Sequence, residues 1–125
     1  MRKLSVIQKN HNLNNVYAVD EPGMGGASHI YEVQRRNPAY PNDMDEPLAT
    51  ITFQHGPRKD ANAIHGVLDG DLLEIVRDRL RAFQGGEFPT RENAIALTHI
   101  EEALLWMNKR VEDRIERNVL GTYKK

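Results

Sequence analysis

The sequence predicts an α+β fold, with a small antiparallel sheet in the N-terminal half and two helices in the C-terminal half. Short apolar segments that alternate with polar residues occupy residues 1–55, which is typical of half-buried strands. From residue 58 onward apolar residues recur at steps of three and four, the spacing of one helix face. We therefore expect a single domain over residues 1–125, with the sheet packed on a two-helix antiparallel hairpin.

Four segments are candidate strands: residues 4–7, 16–19, 29–33 and 49–53. A glycine-rich stretch with a proline, residues 20–26, separates the second from the third and predicts a hairpin turn. Residues 35–47 contain three prolines and the acidic residues Asp43, Asp45 and Glu46, which predicts a loop.

The first helix belongs to the region 58–86. Its apolar spacing ends at Phe83, before Gly85-Gly86. Gly66 and Gly70 leave its start open between Asp60 and Asp69, because glycine weakens a helix interior.

The second helix is expected over residues 90–120. Thr90 suits the N-cap position, and no glycine or proline follows until Gly121. Its apolar seam should pack along the first helix; it comprises Leu97, Ile100, Leu104, Met107 and Val111.

Arginines follow this seam. Arg110, Arg114 and Arg117 share one face, and Arg114 has no acidic neighbour on its own helix to compensate it. Two interpretations stay open: a solvated basic helix end, or a clamp for phosphate or pyrophosphate, whose geometry guanidinium groups match.

The length of the second helix predicts a homodimer formed through the long helices. About 29 helical residues span ~43 Å, whereas a compact domain of this size has a radius of gyration of only ~14 Å. The second helix should therefore extend beyond its own domain, and a second copy of the chain is the simplest way to bury the apolar residues on the extending part.

Composition narrows the classes of function. Seventeen Lys and Arg against eighteen Asp and Glu leave a net charge of −1, which argues against nucleic-acid binding as a general role. The chain has no cysteine, and its five histidines match no zinc pattern, so no metal site is expected. No membrane span or signal peptide is expected, which indicates a soluble intracellular protein. No P-loop or nucleophile motif is expected either.

Three more residues could complete an anion site. Phe83 could stack on a base or pack in the core, and Asn93 could cap the second helix or contact a polar ligand edge. Arg58 lies in a glycine-proline loop and is free to point into a site. The residues alone thus indicate a dimeric protein that binds an anion or nucleotide.

The C-terminal third resembles a family of phage proteins. The segments H-x-E-x-A-L-x-W (residues 99–106), D-R-x-x-R (113–117) and G-T-x-K-K (121–125) look like the helical hairpin of Thoeris anti-defence sponges and of anti-CBASS cyclic-nucleotide sponges. The preceding sheet favours the Thoeris branch, since the anti-CBASS branch is shorter and all-helical.

The resemblance implies a sponge without enzymatic activity or cofactor that sequesters glycocyclic ADP-ribose signals in the cytoplasm of an infected bacterium and so blocks Thoeris defence. It implies ligand pockets at a dimer interface and, in some members, a hexamer of three dimers with separate sites for cyclic di- or trinucleotides. The residues that match the family's binding positions are Arg58, Phe83, Asn93, Arg110 and Arg114. Phe83 would stack on adenine, Asn93 would hydrogen-bond base or ribose, and the arginines of the second helix would hold the pyrophosphate.

Three other functions stay open at this point. The chain could be an enzyme that cleaves the signal, or a sponge mainly for the cyclic di- and trinucleotides of CBASS. It could also be an adaptor that uses its basic helix end, which would require steeply salt-dependent binding to DNA or RNA.

Overall fold

The computed structural model describes residues 1–36 and 46–125, which form two compact units. The sheet unit comprises Met1–Gly56 with Asn62–Gly66, and the hairpin unit comprises Pro57–Ala61 with Val67–Lys125. Most of the predicted loop at 35–47, including Asp43 and Asp45, lies outside the described residues.

The sheet unit contains a four-stranded antiparallel sheet in the order β1-β2-β3-β4. The strands are β1 (Arg2–Lys3), β2 (Asn14–Ala18), β3 (Ile30–Arg35) and β4 (Ala49–Thr52). With the two helices that follow, this confirms the α+β class. The packing of the sheet on the hairpin and the formation of a dimer stay predictions.

The first strand is displaced from the predicted segment 4–7. Strand β1 covers only Arg2–Lys3, although the Leu4 amide still donates to Val16 (2.8 Å). Ile7 is fully exposed. Beyond it, polar side chains bond to nearby backbone oxygens, as Gln8 does to Asn10, and such local bonds compete with a strand ladder.

The predicted turn between the second and third strands is confirmed. A short 3-10 helix, Met24–Gly26, joins β2 to β3, with Gly25 at a φ of 80°. Asp20 anchors the far side of this turn, because its carboxylate accepts hydrogen bonds from the amides of His29 and Ile30, both at 2.9 Å.

We expect Asp20 to make the sheet unit sensitive to acid. The Ile30 amide, and then the His29 amide, hold the pKa of Asp20 below its ordinary value of 3.8 despite partial desolvation. When the pKa of a carboxyl group is lower in the folded than in the unfolded state, the group stabilises the fold at pH values above its unfolded-state pKa. This stabilisation is lost as the pH falls through its folded-state pKa.

Urea unfolding at about pH 5 and pH 2 tests this expectation. The urea midpoint of the Asp20→Asn variant should fall less between these values than that of the wild type, because the amide does not titrate. Equal losses in both proteins would show that Asp20 does not couple proton binding to folding.

Of the two predicted starts of the first helix, the structure has the later one. Helix α1 runs over Asp69–Gln84, and the Asp71 carboxylate accepts from the Leu68 amide at 2.8 Å. The chain before it pairs His55 with Ile64 in a β-bridge instead. It passes so close to β4 that a Cβ on Gly66 would lie 2.5 Å from the carbonyl carbon of Phe53. Gly66 is therefore part of a backbone contact and not of a helix.

Helix α2 runs over Arg91–Glu116 and begins as predicted, with the Thr90 hydroxyl accepting from the Asn93 amide at 3.0 Å. It ends four residues before the predicted position 120. The chain leaves the helix at Asn118, whose φ is 57°. A positive φ is incompatible with a right-handed helix, and asparagine adopts it more readily than most residues.

The two helices form the predicted antiparallel hairpin. Gln84 exchanges hydrogen bonds with the backbone of Thr90 at the connection, and Arg77 Nε donates to Glu101 at 2.8 Å. The α2 seam is half-buried except for Met107, which is 40% exposed; its other members are Leu97, Ile100, Leu104 and Val111.

The hairpin leaves much apolar surface uncovered. Helix α1 has 16 residues and α2 has 26, and Gly70 in the first turn of α1 lies beside Leu104. The last turns of α2 therefore extend beyond α1. No residue of α1 is buried, and Arg114 alone is buried in α2. Trp106 is 66% exposed and Ile115 is 50% exposed. A hairpin with so little buried surface is marginal by itself, which supports the predicted second copy.

Candidate functional site

Arg114 is buried at the end of α2, with only 7% of its surface exposed. Its Nη2 donates to the carbonyl oxygens of Val119 (3.0 Å) and Thr122 (3.1 Å). The interpretation as a solvated helix end therefore does not describe Arg114, which is held by the chain that follows the helix. Both of its hydrogen bonds to described residues come from Nη2, so Nε and Nη1 keep their donors for another acceptor.

Arg58 lies beside the same C-terminal segment. The amide of Lys59 donates to the Gly121 carbonyl at 3.1 Å, and the Tyr123 hydroxyl donates to Asp60 at 2.5 Å. This bond with Asp60 raises the pKa of Tyr123. The Arg58 side chain is exposed and its stem crosses Gly121. The structure thus brings two predicted site residues, Arg58 and Arg114, to one end of the hairpin unit, where both contact the same segment.

Arg110 is exposed one turn before Arg114 and belongs to the same end. It lines a groove of about 900 Å³ between the start of α1 and the overhanging part of α2. The groove also contains Arg77, whose pKa is raised by its hydrogen bond with Glu101 and then by that with Glu74. Arg117 pairs with Asp113 at 3.1 Å. We call Arg58, Arg110 and Arg114 the arginine cluster.

Phe83 and Asn93 lie at the opposite end of the hairpin, near its connection. Phe83 is 47% exposed, and the Arg79 guanidinium lies 5.3 Å from its ring centroid. Its exposure shows that core packing does not use the whole ring. The Asn93 backbone is capped by Thr90, and its side-chain amide makes no hydrogen bond within residues 1–36 and 46–125. We call Phe83 and Asn93 the connection cluster.

One chain cannot bring the two clusters together around a small ligand. Asn93 and Arg114 are 21 positions apart on one unbroken helix, which corresponds to ~31 Å. Both nevertheless point to the same side of α2. At 3.6 residues per turn, this side covers about 100° of the helix and overlaps the edge of the apolar seam. It carries Glu92, Asn93, Ala96, Ile100, Ala103, Met107, Arg110, Val111 and Arg114.

Within the described ranges, no group of three or more histidine and acidic residues could hold a metal ion. His29 and His55 do approach each other, but their rings stack face to face with centroids 4.0 Å apart. None of the helices described is both long and apolar enough to cross a membrane.

Comparison with known proteins identifies the hairpin. Residues 45–112 match the family model described as the Acb2/Tad1 hairpin domain. The chain belongs to this family. It is also 48% identical over 83 residues to the protein named "Thoeris anti-defense 1" of Bacillus phage SBSphiJ7. This similarity covers 66% of the chain and 58% of the relative, so the chain spans less than two thirds of that protein's length.

These matches confirm the resemblance to the Thoeris anti-defence family. The matched region includes four of the five predicted site residues: Arg58, Phe83, Asn93 and Arg110. Arg114 follows two positions after its end.

The sequence alone does not reveal the role of the segment after α2. Gly121 predicts a helix stop, but its contact with Arg58 joins residues 63 positions apart in the sequence. The sequence feature that could have indicated this role is the G-T-x-K-K motif. Its glycine, Gly121, stands where the Arg58 side chain passes close to the backbone.

Proposed function

We propose that this protein is a non-catalytic sponge that binds and sequesters glycocyclic ADP-ribose signals and thereby blocks Thoeris defence in the cytoplasm of an infected bacterium. The observation that carries the proposal is the position of the two clusters. They supply complementary chemistry for one nucleotide and lie at opposite ends of the hairpin. Their members on α2, which are Asn93, Arg110 and Arg114, fall within one arc of ~100° on that helix.

An antiparallel homodimer would complete the site. Ala103 lies ten positions after Asn93 and eleven before Arg114. A two-fold axis facing Ala103 would therefore place the connection cluster of one subunit beside the arginine cluster of the other, and would do so twice. The small side chains of Ala96 and Ala103 permit close approach of the two α2 helices.

Part of the side of α2 that this dimer would cover is exposed in the hairpin unit, and Ala103 at its centre is half-buried. Ala96 and Arg110 are exposed, and Met107 is 40% exposed.

The clusters match the chemical parts of an ADP-ribose derivative. The half-exposed ring of Phe83 suits an adenine face, and stacking of a base on an aromatic ring contributes ~1–3 kcal/mol. The free amide of Asn93 can donate to and accept from base or ribose. The guanidinium groups of the arginine cluster suit the pyrophosphate, since charge-assisted bonds to phosphate are stronger than neutral ones.

The same residues favour retention of the ligand over turnover. An amide, a phenyl ring and permanently protonated guanidinium groups can bind and orient a nucleotide, but none can accept a proton as a general base near neutral pH. Cleavage of the signal would require a further residue from outside these clusters.

Titration calorimetry with glycocyclic ADP-ribose tests the proposal. We expect tight binding with two ligands per dimer. Preferred binding of cyclic di- or trinucleotides would favour a CBASS sponge instead. Steeply salt-dependent binding of DNA or RNA, with no binding of the cyclic ligand, would favour the adaptor.

A further inference from the structure

We infer that the C-terminal tail, residues 117–125, is a positioning element that sets the arginine cluster, and that Gly121 is its key residue. The inference rests on the proposed function, because it concerns the anion-binding end of that site. The juxtaposition that carries it is that Arg58 and Arg114 both contact the tail.

The tail orients Arg114 through backbone oxygens. Two carbonyls, those of Val119 and Thr122, accept from the same nitrogen, Nη2. Val119 is itself buried, and its amide donates back to the Arg114 carbonyl at 2.9 Å. A guanidinium group is planar, so fixing one nitrogen at two acceptors fixes the direction of the remaining donors.

The tail places Arg58 through close contact. Gly121 has a φ of 78°, and a Cβ there would lie 2.6 Å from Cγ of Arg58 and 2.9 Å from Cγ of Lys59. Cγ is near the base of the side chain, so relieving this contact would move the whole Arg58 guanidinium group. The Lys59–Gly121 backbone bond and the Tyr123–Asp60 bond hold the two segments together.

Gly121 is thus the point where an added side chain would displace Arg58 from the tail. The ligand need not touch the tail for this to matter, since Gly121 acts through Arg58, whereas the carbonyls of Val119 and Thr122 act through Arg114. A positioning role of this kind predicts that the effect of Gly121 on binding depends on Arg58.

A double-mutant cycle on the full-length protein tests the inference, with glycocyclic ADP-ribose as the probe in calorimetry. Gly121→Ala should weaken binding about tenfold, and Arg58→Ala about ten- to hundredfold. The double variant should bind no more weakly than Arg58→Ala alone. Independent, additive losses or full affinity of Gly121→Ala would overturn the inference.

Gly25→Ala is the matched control. It introduces a side chain at nearly the same φ, 80°, but no atom lies within 4 Å of its added Cβ. This variant should keep full affinity. Equal loss in Gly25→Ala and Gly121→Ala would assign the effect to backbone strain and contradict a positioning role.

Two further measurements keep the test decisive. If the helical circular dichroism signal of Gly121→Ala shows that this variant does not fold, the Tyr123→Phe variant takes its place in the test. Tyr123→Phe should bind the ligand several-fold more weakly, because it loses only the contact with Asp60. Full affinity of Tyr123→Phe would overturn the inference. Amide hydrogen exchange at Lys59 needs no ligand and should be faster in Gly121→Ala. Unchanged amide hydrogen exchange at Lys59 would refute the role of the tail. Failure of the wild-type protein to bind the ligand in calorimetry would instead refute the proposed function.

Discussion

Mixing Asn93→Ala chains with Arg110→Ala chains is expected to restore binding that neither variant has alone. Each pure variant should bind glycocyclic ADP-ribose about ten- to hundredfold more weakly, since a hydrogen bond to a charged group contributes ~1.5–3 kcal/mol and the amide somewhat less. In a mixed dimer, one site receives both altered residues and the other receives neither. Random exchange of subunits should therefore restore about a quarter of the sites.

The matched control mixes Asn93→Ala with Phe83→Ala. Both residues belong to the connection cluster, so each site of the mixed dimer keeps one defect and no high-affinity site should return. Calorimetry after subunit exchange gives the number of restored sites. Failure of the first mixture to recover any site, despite confirmed exchange, would contradict a site shared between subunits.

Ala103→Glu is expected to separate the dimer and abolish tight binding. The substitution places two like charges next to each other at the proposed two-fold axis, and such a juxtaposition costs several kcal/mol. Glutamate is a good helix former, so the hairpin itself should keep its helical content. Analytical ultracentrifugation should show monomers, and calorimetry should show binding reduced to that of the isolated clusters.

Ala94→Glu provides the comparison for this variant. Ala94 is exposed on a different side of the same helix, in its first turn, where an acidic residue is compatible with the helix dipole. It should leave both assembly and affinity unchanged. A dimer that persists in Ala103→Glu would place the interface elsewhere on the hairpin unit.

The helices were the most predictable part of the fold because their signals are local. Thr90 caps α2 as its residue type predicts, and the spacing of the seam identifies the face toward α1. The end of α2 was less predictable. It is set by the positive φ of Asn118 and by contacts of Val119 and Thr122 with Arg114, which depend on how the tail folds back.

The strands show the same limit. Residues 4–7 have β propensity, but pairing partners decide where a strand lies, and β2 offers β1 only Tyr17 and Ala18. In the candidate site, sequence spacing identifies Arg114 as uncompensated by acidic groups. It does not reveal that backbone carbonyls of the tail hold the side chain, because carbonyl acceptors leave no mark in residue type.

Mass spectrometry of the ligand released from the protein tests the central claim most directly. The protein is incubated with the product of a TIR-domain enzyme, separated from free small molecules, and heat-denatured. We expect intact glycocyclic ADP-ribose in an amount matching two molecules per dimer. Recovery of ADP-ribose or another breakdown product, or of no nucleotide at all, would contradict sequestration by a non-catalytic sponge.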